Sequence, residues 1–328
     1  MNIMAVVICE TSEDEKALFR QCFQGVARVV FLPDISTRER RGVLEKADVV
    51  VSQSFSPLEI APEEISLLRR ARFIQLVFSG ADDVPFHFIP EHITVASNPG
   101  AFSEPIAEHV LAMVLSLAKR LHLKHDLLAS GRFDRSGSNT FLKGRTCAIV
   151  GLGGNGKAVA RIMRALDMKV FGINRSGKTD VPIERIDTLD NLKEVLEASD
   201  VVVLTIPLTR RTRGLIGKEA LAWMKADAIL INVARGAVID ERALYEHLKK
   251  HPDFSAGIDT WWSEPAHHGE FSLNYPFFGL SNIIGSPHVA DAVPGMRPTA
   301  VRLAIENVRA YLSRGEIRGV LKREDYLS

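Results

Sequence analysis

The stretch TCAIVGLGGNGKAVARIMRAL, Thr146–Leu166, joins an apolar run, a cluster of glycines and a helix-favouring segment. Gly151, Gly153 and Gly156 satisfy the pattern G-x-G-x-x-G, which is weak evidence on its own. Its context makes it informative, because the glycines directly follow a strand-like run and open a helix. In such a loop Gly151 permits a tight turn, Gly153 lets the backbone approach a pyrophosphate, and Gly156 allows helix and strand to pack closely. The anion then rests on the helix N-terminus. The alternative is a purely structural turn. Gly154 and Asn155 complete the loop, and Asn155 stands where an apolar residue is expected to pack inward.

Outward from this loop the same alternation continues. KVFGIN (169–174), DVVVLTIP (200–207), AILINVAR (228–235), SAGIDT (255–260) and NIIGSPH (282–288) read as buried strands. An earlier series, MAVVIC (4–9), ARVVFL (27–32), ADVVVSQ (47–53) and FIQLVFS (73–79), is separated by polar helical stretches such as SEDEKALFRQCF. Continuous apolar strands alternating with helices imply parallel sheets covered on both faces. A long helix is predicted from about Glu104 to Lys119, with Ile106, Val110, Val114 and Leu117 at helical spacing and Leu121 continuing the pattern. Its wide apolar coverage predicts burial on several sides, between domains or subunits. SGRFDRSGSNTF (130–141) supplies turn residues and a boundary region. The expectation is an α/β chain of two doubly wound parallel-sheet domains.

The bulk properties agree. A chain of 328 residues is long for a single core. With 41 basic and 40 acidic side chains the formal charge is +1, so no charged surface argues for nucleic acid. The longest apolar runs are strand-length, which argues against a membrane span. The start, MNIMAVVICE, reads as a first strand rather than a signal peptide. Cys9, Cys22 and Cys147 are sparse, odd in number and not spaced as metal ligands, which suits reduced thiols in a cytoplasmic protein.

A dinucleotide at the glycine loop needs recognition of its ribose. An acid near the end of the next strand would bind the 2′-hydroxyl of NAD. The position about twenty residues beyond Gly151 is Asn174, which is neutral. Arg175 and Ser176 follow, with Lys178 nearby, and they can grip a 2′-phosphate instead. The expected cofactor is therefore NADP in preference to NAD.

Ligands of open α/β sheets bind beyond the carboxyl ends of strands. Three such ends in the second half carry reactive groups: Arg235 in NVARGAVID, His288 in SPHVAD, and Asp259 with Glu264 in GIDTWWSEP. An arginine fork matches a carboxylate bidentately. Histidine titrates near neutrality, and a neighbouring carboxylate favours its protonated form.

Taken together and in order, VFSGADDVP, SNPGAFSEPIAEHVLAMVLSLAKR, GLGGNGKAVA, VVVLTIPLTRRTRGLIG, INVARGAVIDERAL, AGIDTWWSEP, SPHVA and ENVRAYLSRGE resemble the D-isomer-specific 2-hydroxyacid dehydrogenases over nearly the whole chain. The resemblance implies a flavodoxin-like substrate domain, residues 1–100 with 293–328, around a Rossmann cofactor domain, 101–292, with the active site in the cleft between them. It implies that Arg235 binds the substrate carboxylate and carbonyl, and that His288 exchanges the proton at the 2-oxygen, assisted by Glu264. Asp259 is implied to hold the nicotinamide carboxamide, and Pro207 to border the cofactor. The backbone amides of Ser79, Gly80 and Ala81 are implied to cradle the substrate carboxylate from the other domain. A homodimer formed through the long helix after Glu104 and its neighbours is a further implication. The expected reaction is NADP(H)- or NAD(H)-dependent reduction of a small 2-keto acid such as glyoxylate or hydroxypyruvate.

Other clusters are weaker. His267, His268 and Glu270 could hold a metal, but adjacent histidines on a glycine-bearing loop more often are solvated, and no metal is expected. Trp261 and Trp262 read as packing residues near the pocket wall. His109 and Glu108 on the long helix could be catalytic, but read first as helix packing and capping at the domain junction, and Asn98 reads as a hinge or substrate-domain turn residue. Asp291 stands where the family commonly has glycine. A phosphite- or formate-type oxidation and a dinucleotide-sensing corepressor are the rival readings; Glu264, where formate dehydrogenases carry glutamine, favours acid–base chemistry.

Overall fold

A computed structural model describes residues 3–265 and 269–327. The chain divides into two compact units, Met1–Ala101 with Val293–Ser328, and Phe102–Ala292.

The first unit is built on a parallel sheet in the order β2-β1-β3-β4-β5. Its strands are β1 Met4–Val7, β2 Arg28–Phe31, β3 Val49–Ser52, β4 Phe73–Leu76 and β5 Thr94–Ala96. β3 and β4 are buried at every position, as a sheet covered on both faces requires. β5 was not among the expected strands: it is three residues long, too short for a periodic signal, and is fixed by pairing with β4. The C-terminal segment returns here, with the Leu321 amide donating to Val95 O at 2.9 Å. The helix Glu13–Phe23 starts in a capping box, in which Ser12 and Glu15 satisfy each other's backbone amides. Arg297, at the start of the helix Met296–Leu312, donates to Glu15, to Gln53 and to Glu10 O.

The second unit holds a parallel sheet in the order β12-β11-β10-β9-β6-β7-β8. Its strands are β6 Thr146–Val150, β7 Lys169–Ile173, β8 Arg185–Asp187, β9 Val201–Leu204, β10 Ile229–Asn232, β11 Ser255–Ile258 and β12 Ile283–Gly285. Strand order reverses beside β6, so the carboxyl ends of β6 and β9 form the topological switch point where such sheets bind ligands. β8 is another short strand that the sequence pattern did not reveal. Phe254 and Phe277 are fully buried here, and truncating either to alanine is expected to cost roughly 3–5 kcal/mol.

The helix Ser103–Ala118 is buried on several sides, as its apolar coverage predicts, but it ends before Leu121. Its apolar residues Val110, Val114 and Leu117 are buried inside its own unit, where it packs on the helix Gly154–Ala165 and on β10 and β11. Leu121 belongs to the next helix, Leu121–Ala129, and is 56% exposed. The wide apolar coverage therefore reflects packing on sheet and helix together. The described residues contain no helix long and apolar enough to cross a membrane.

Candidate active site

The glycine loop leaves β6 at the switch point. Gly151 has φ 109°, a left-handed conformation, and a β-carbon there would lie 2.5 Å from the Ile206 nitrogen. A β-carbon at Gly156 would lie 2.3 Å from Gly151 O, so the helix Gly154–Ala165 can start this close to β6 only with glycine. A β-carbon at Gly153 would meet nothing within 4 Å. That open space, ahead of the amides of a twelve-residue helix, fits the approach of a pyrophosphate. Asn155 is not misplaced: its Oδ1 accepts from Ser103 Oγ at 2.8 Å and ties the two packed helices together.

Beyond β7, Asn174 organises a loop. Its Oδ1 accepts from the Ser176 amide at 3.0 Å and the Gly177 amide at 2.7 Å, while Nδ2 donates to Lys178 O at 2.7 Å. Arg175, Ser176 and Lys178 lie exposed on that loop. Lys157, on the glycine-loop helix, pairs with Asp180 at 2.5 Å. On the other side of β6, Pro207 is exposed after β9, and its carbonyl accepts from Thr212 Oγ1 at 2.7 Å.

The three groups singled out for chemistry come together. Arg235 follows β10, with its neighbouring turn held by Asn232, which donates to Arg235 O and accepts from the Ala234 amide. Gly236 is in contact with the backbone of Trp261, and a β-carbon there would lie 2.3 Å from the Trp261 carbonyl carbon. This close approach brings the Arg235 turn against the loop that carries Glu264. Glu264 is buried; one carboxylate oxygen accepts the Trp261 amide at 2.6 Å and the other meets His288 Nδ1 at 2.6 Å. Burial opposes ionisation of Glu264, but the His288 hydrogen bond, the Trp261 amide and the charges of His288 and Arg235 hold its carboxyl below the usual range. The Glu264 hydrogen bond raises the His288 imidazole above its ordinary value against desolvation, aided by the charges of Glu264 and Asp259 and opposed by Arg235. Nε2 of His288 makes no hydrogen bond among the described residues. The pair therefore has a buried base fixing one ring nitrogen and a free nitrogen able to give or take a proton.

Asp259 is 1% exposed and does more than its sequence position announced. Its Oδ1 accepts from Ser286 Oγ at 2.6 Å and from the Val289 amide at 3.0 Å, and its Oδ2 accepts from the Ala290 amide at 3.2 Å. Its carbonyl accepts the His288 amide at 2.8 Å. His288 itself has φ 54°. Ser286 carries no signal of a role in the sequence, and His109, expected to pack, lies 2.8 Å from its Oγ through Nε2. These long-range partners have no local sequence signal.

The remaining candidates are scattered. Ser79, Gly80 and Ala81 lie in the first unit after β4, and their amides donate no hydrogen bond among the described residues. Asn98 is a buried turn residue whose Nδ2 donates to Val77 O and Ala300 O, both at 2.9 Å. Trp261 and Trp262 pack as expected, their indole N–H groups donating to Ser286 O and Ile239 O. Trp261 also packs on Gly285 and on the half-exposed Phe271 and exposed Phe278. His267 and His268 lie outside the described residues; among the described residues no group of three His, Cys, Asp or Glu is arranged to hold a metal ion.

Comparison with known proteins places these residues in a family. Residues 111–290 match the model of the D-isomer specific 2-hydroxyacid dehydrogenase NAD binding domain. A glyoxylate reductase of Pyrococcus furiosus is 32% identical over 243 residues, covering 72% of this chain and 70% of that protein. A D-3-phosphoglycerate dehydrogenase of Methanocaldococcus jannaschii is 29% identical over 89% of this chain; the match spans 55% of that longer protein. Among solved structures, a glycerate dehydrogenase related protein from Thermoplasma acidophilum superposes with a TM-score of 0.63 at 28% identity, covering 94% of this chain and 99% of that one.

Proposed function

The chain belongs to the D-isomer-specific 2-hydroxyacid dehydrogenases, a family of NAD(P)-dependent oxidoreductases, and from that premise we propose that it reduces a small 2-oxo acid such as glyoxylate or hydroxypyruvate with NADPH. The observation that carries this reading is the 2.6 Å contact between His288 Nδ1 and Glu264. A formate-type oxidation moves a hydride and no proton, whereas a carbonyl becoming an alcohol takes up both a hydride and a proton and needs such a donor.

The nicotinamide, when bound, supplies the hydride. His288 in its imidazolium form donates from Nε2 to the 2-oxygen, and Glu264 keeps Nδ1 protonated throughout. Arg235 grips the substrate carboxylate and polarises the carbonyl, since its fork satisfies both oxygens at once. In the first unit the amides of Ser79, Gly80 and Ala81 serve as further carboxylate donors, which their lack of partners among the described residues supports. Gly151, Gly153, Gly154, Asn155 and Gly156 carry the pyrophosphate, with Pro207 beside the cofactor and Asp259 close to the carboxamide. The preference for NADPH rests on Asn174: it is no acid, and its side chain is spent on shaping the loop that presents Arg175 and Ser176. A homodimer fits the exposed apolar residues Leu121, Leu128, Phe133 and Phe141.

The test is initial-rate absorbance with NADPH and NADH against glyoxylate, hydroxypyruvate, pyruvate and phenylpyruvate. Turnover fastest with NADPH and a two- or three-carbon acid is expected. Faster turnover with NADH removes the phosphate-pocket assignment and leaves the reductase. Tight cofactor binding with no reduction of any acid overturns the reading.

A further inference from the structure

Every polar backbone and side-chain atom of Ser286 is engaged. Its amide donates to Ile258 O at 3.0 Å, its carbonyl accepts the Trp261 indole N–H at 2.8 Å, and its hydroxyl lies between Asp259 and His109. The hydroxyl has one proton, and a carboxylate oxygen can only accept. The proton of Ser286 therefore points at Asp259 Oδ1, 2.6 Å away, and the Ser286 oxygen must accept from His109 Nε2 at 2.8 Å. His109 is thus protonated on Nε2. It reaches the site from the helix Ser103–Ala118, 177 residues distant in the chain, with its side chain 24% exposed.

The recipient of this relay is the turn that carries the acid–base histidine. Asp259 accepts from Ser286 Oγ and the amides of Val289 and Ala290, while its carbonyl takes the His288 amide. His288 sits at φ 54°, a conformation that a residue with a β-carbon keeps only where its surroundings impose it. If Ser286 is free to rotate, the carboxylate loses the donor that aligns it and the turn loses its brace.

We propose that His109 is a positioning residue for proton and hydride transfer: by donating to Ser286 it directs the Ser286 proton onto Asp259 and so fixes the turn that aims His288 at the substrate. The proposal rests on the reading of His288 as the acid–base group. A pure ion pair between His109 and Asp259 is the weaker description, because those atoms are 3.6 Å apart while the hydroxyl contact is shorter. A packing role is weaker too, since any apolar residue of similar size would serve it.

The experiment compares H109F, H109Q and S286A in the full chain. Phenylalanine keeps the ring volume and removes the donor; glutamine keeps an N–H. Two readouts are taken: steady-state kinetics with a primary isotope effect from 4-deuterated NADPH, and the NMR titration of the His288 ring, whose facing charges are Glu264, Arg235 and Asp259. H109F is expected to lower kcat by about tenfold or more with the KM for the 2-oxo acid within about twofold, and to raise the isotope effect. The His288 midpoint should fall towards its ordinary value of 6.5 as the Glu264 contact loosens. H109Q should restore both to near wild type, and S286A should reproduce H109F, with the double variant H109F/S286A no worse than either. Wild-type kinetics and titration in H109F, or a glutamine as damaging as phenylalanine, overturns the proposal. If wild-type protein reduces no 2-oxo acid, the functional reading falls, and the His288 titration still decides the role of His109. If H109F does not fold, S286A and H109Q decide it alone.

Discussion

Glu264 meets His288 Nδ1 at 2.6 Å with one oxygen while the other accepts the Trp261 amide at 2.6 Å, so the carboxylate is anchored before it anchors the imidazole. Reduction needs imidazolium, and the His288 midpoint is raised, first by the Glu264 hydrogen bond. Reductive kcat/KM is therefore expected to hold at pH values below that raised midpoint and to fall as pH rises through it; the oxidative direction shows the opposite limb. E264Q removes the charge that raises the midpoint. Its reductive limb should move to lower pH, with kcat down by about 10²-fold. A pH–rate profile of both proteins reads this out, and an unmoved limb contradicts the assigned pair.

The same pair sets a stability window. A raised histidine stabilises the fold below its ordinary 6.5 and loses that contribution as pH rises through its folded midpoint. A lowered carboxyl stabilises above its ordinary 4.5 and loses its contribution as pH falls through its folded midpoint. Both act between 4.5 and 6.5, so the difference in thermal midpoint between wild type and E264Q should be largest there and shrink above and below. Unfolding scans across pH test it; a difference that is flat with pH does not fit.

Arg235 reaches the site because Gly236 lets two loops touch. R235K keeps the charge and loses the bidentate fork. The expected result is a KM for the 2-oxo acid raised by about tenfold or more and kcat/KM reduced by about 10²-fold or more, with NADPH affinity near wild type. Equal losses in cofactor and substrate binding would point to a collapsed turn instead.

Much of this arrangement is legible in the amino-acid sequence. Glycine spacing after CAIV pointed to the tight turn between β6 and its helix because Gly151 and Gly156 answer to local sterics, which sequence context reports. Arg235, Glu264 and His288 stood out as candidates because each lies beyond the carboxyl end of an apolar strand, and Glu264 and His288 do meet. What escaped depends on distant partners. β5 and β8 exist through pairing with β4 and β7 and are too short to show a period. Asn155 looked out of place until Ser103 supplied its hydrogen bond. Asp259 was read as a cofactor ligand, yet three of its contacts brace the His288 turn, and His109 joins that network from 177 residues away. Burial of the helix Ser103–Ala118 on several sides was legible, but not its partners in the second unit, the helix Gly154–Ala165 with β10 and β11, because periodicity counts apolar faces without saying what covers them.

Asn174 offers a direct test of cofactor choice. Aspartate at this position can still accept from the Ser176 and Gly177 amides, so the loop survives with only the Nδ2 bond to Lys178 O lost. The new charge repels a 2′-phosphate and can accept from a 2′-hydroxyl. N174D should shift the ratio of kcat/KM for NADPH over NADH by about tenfold or more towards NADH. An unchanged ratio would mean that the ribose end lies elsewhere.

Assembly can be tested on residues that the second unit leaves uncovered. Leu128 is 58% exposed, Phe133 83% and Phe141 69%, all close in sequence after the internal helix Ser103–Ala118. Single exposed apolar residues are ordinary, but several on one segment are what an interface between copies needs. Light scattering on wild-type protein should give twice the 36.3 kDa chain mass. The double variant L128D/F141D should give the single-chain mass while its far-UV circular dichroism stays unchanged, because neither side chain belongs to the buried core of its unit. A wild-type protein at 36.3 kDa removes the dimer from the proposal and leaves the contact between His288 and Glu264 as it stands.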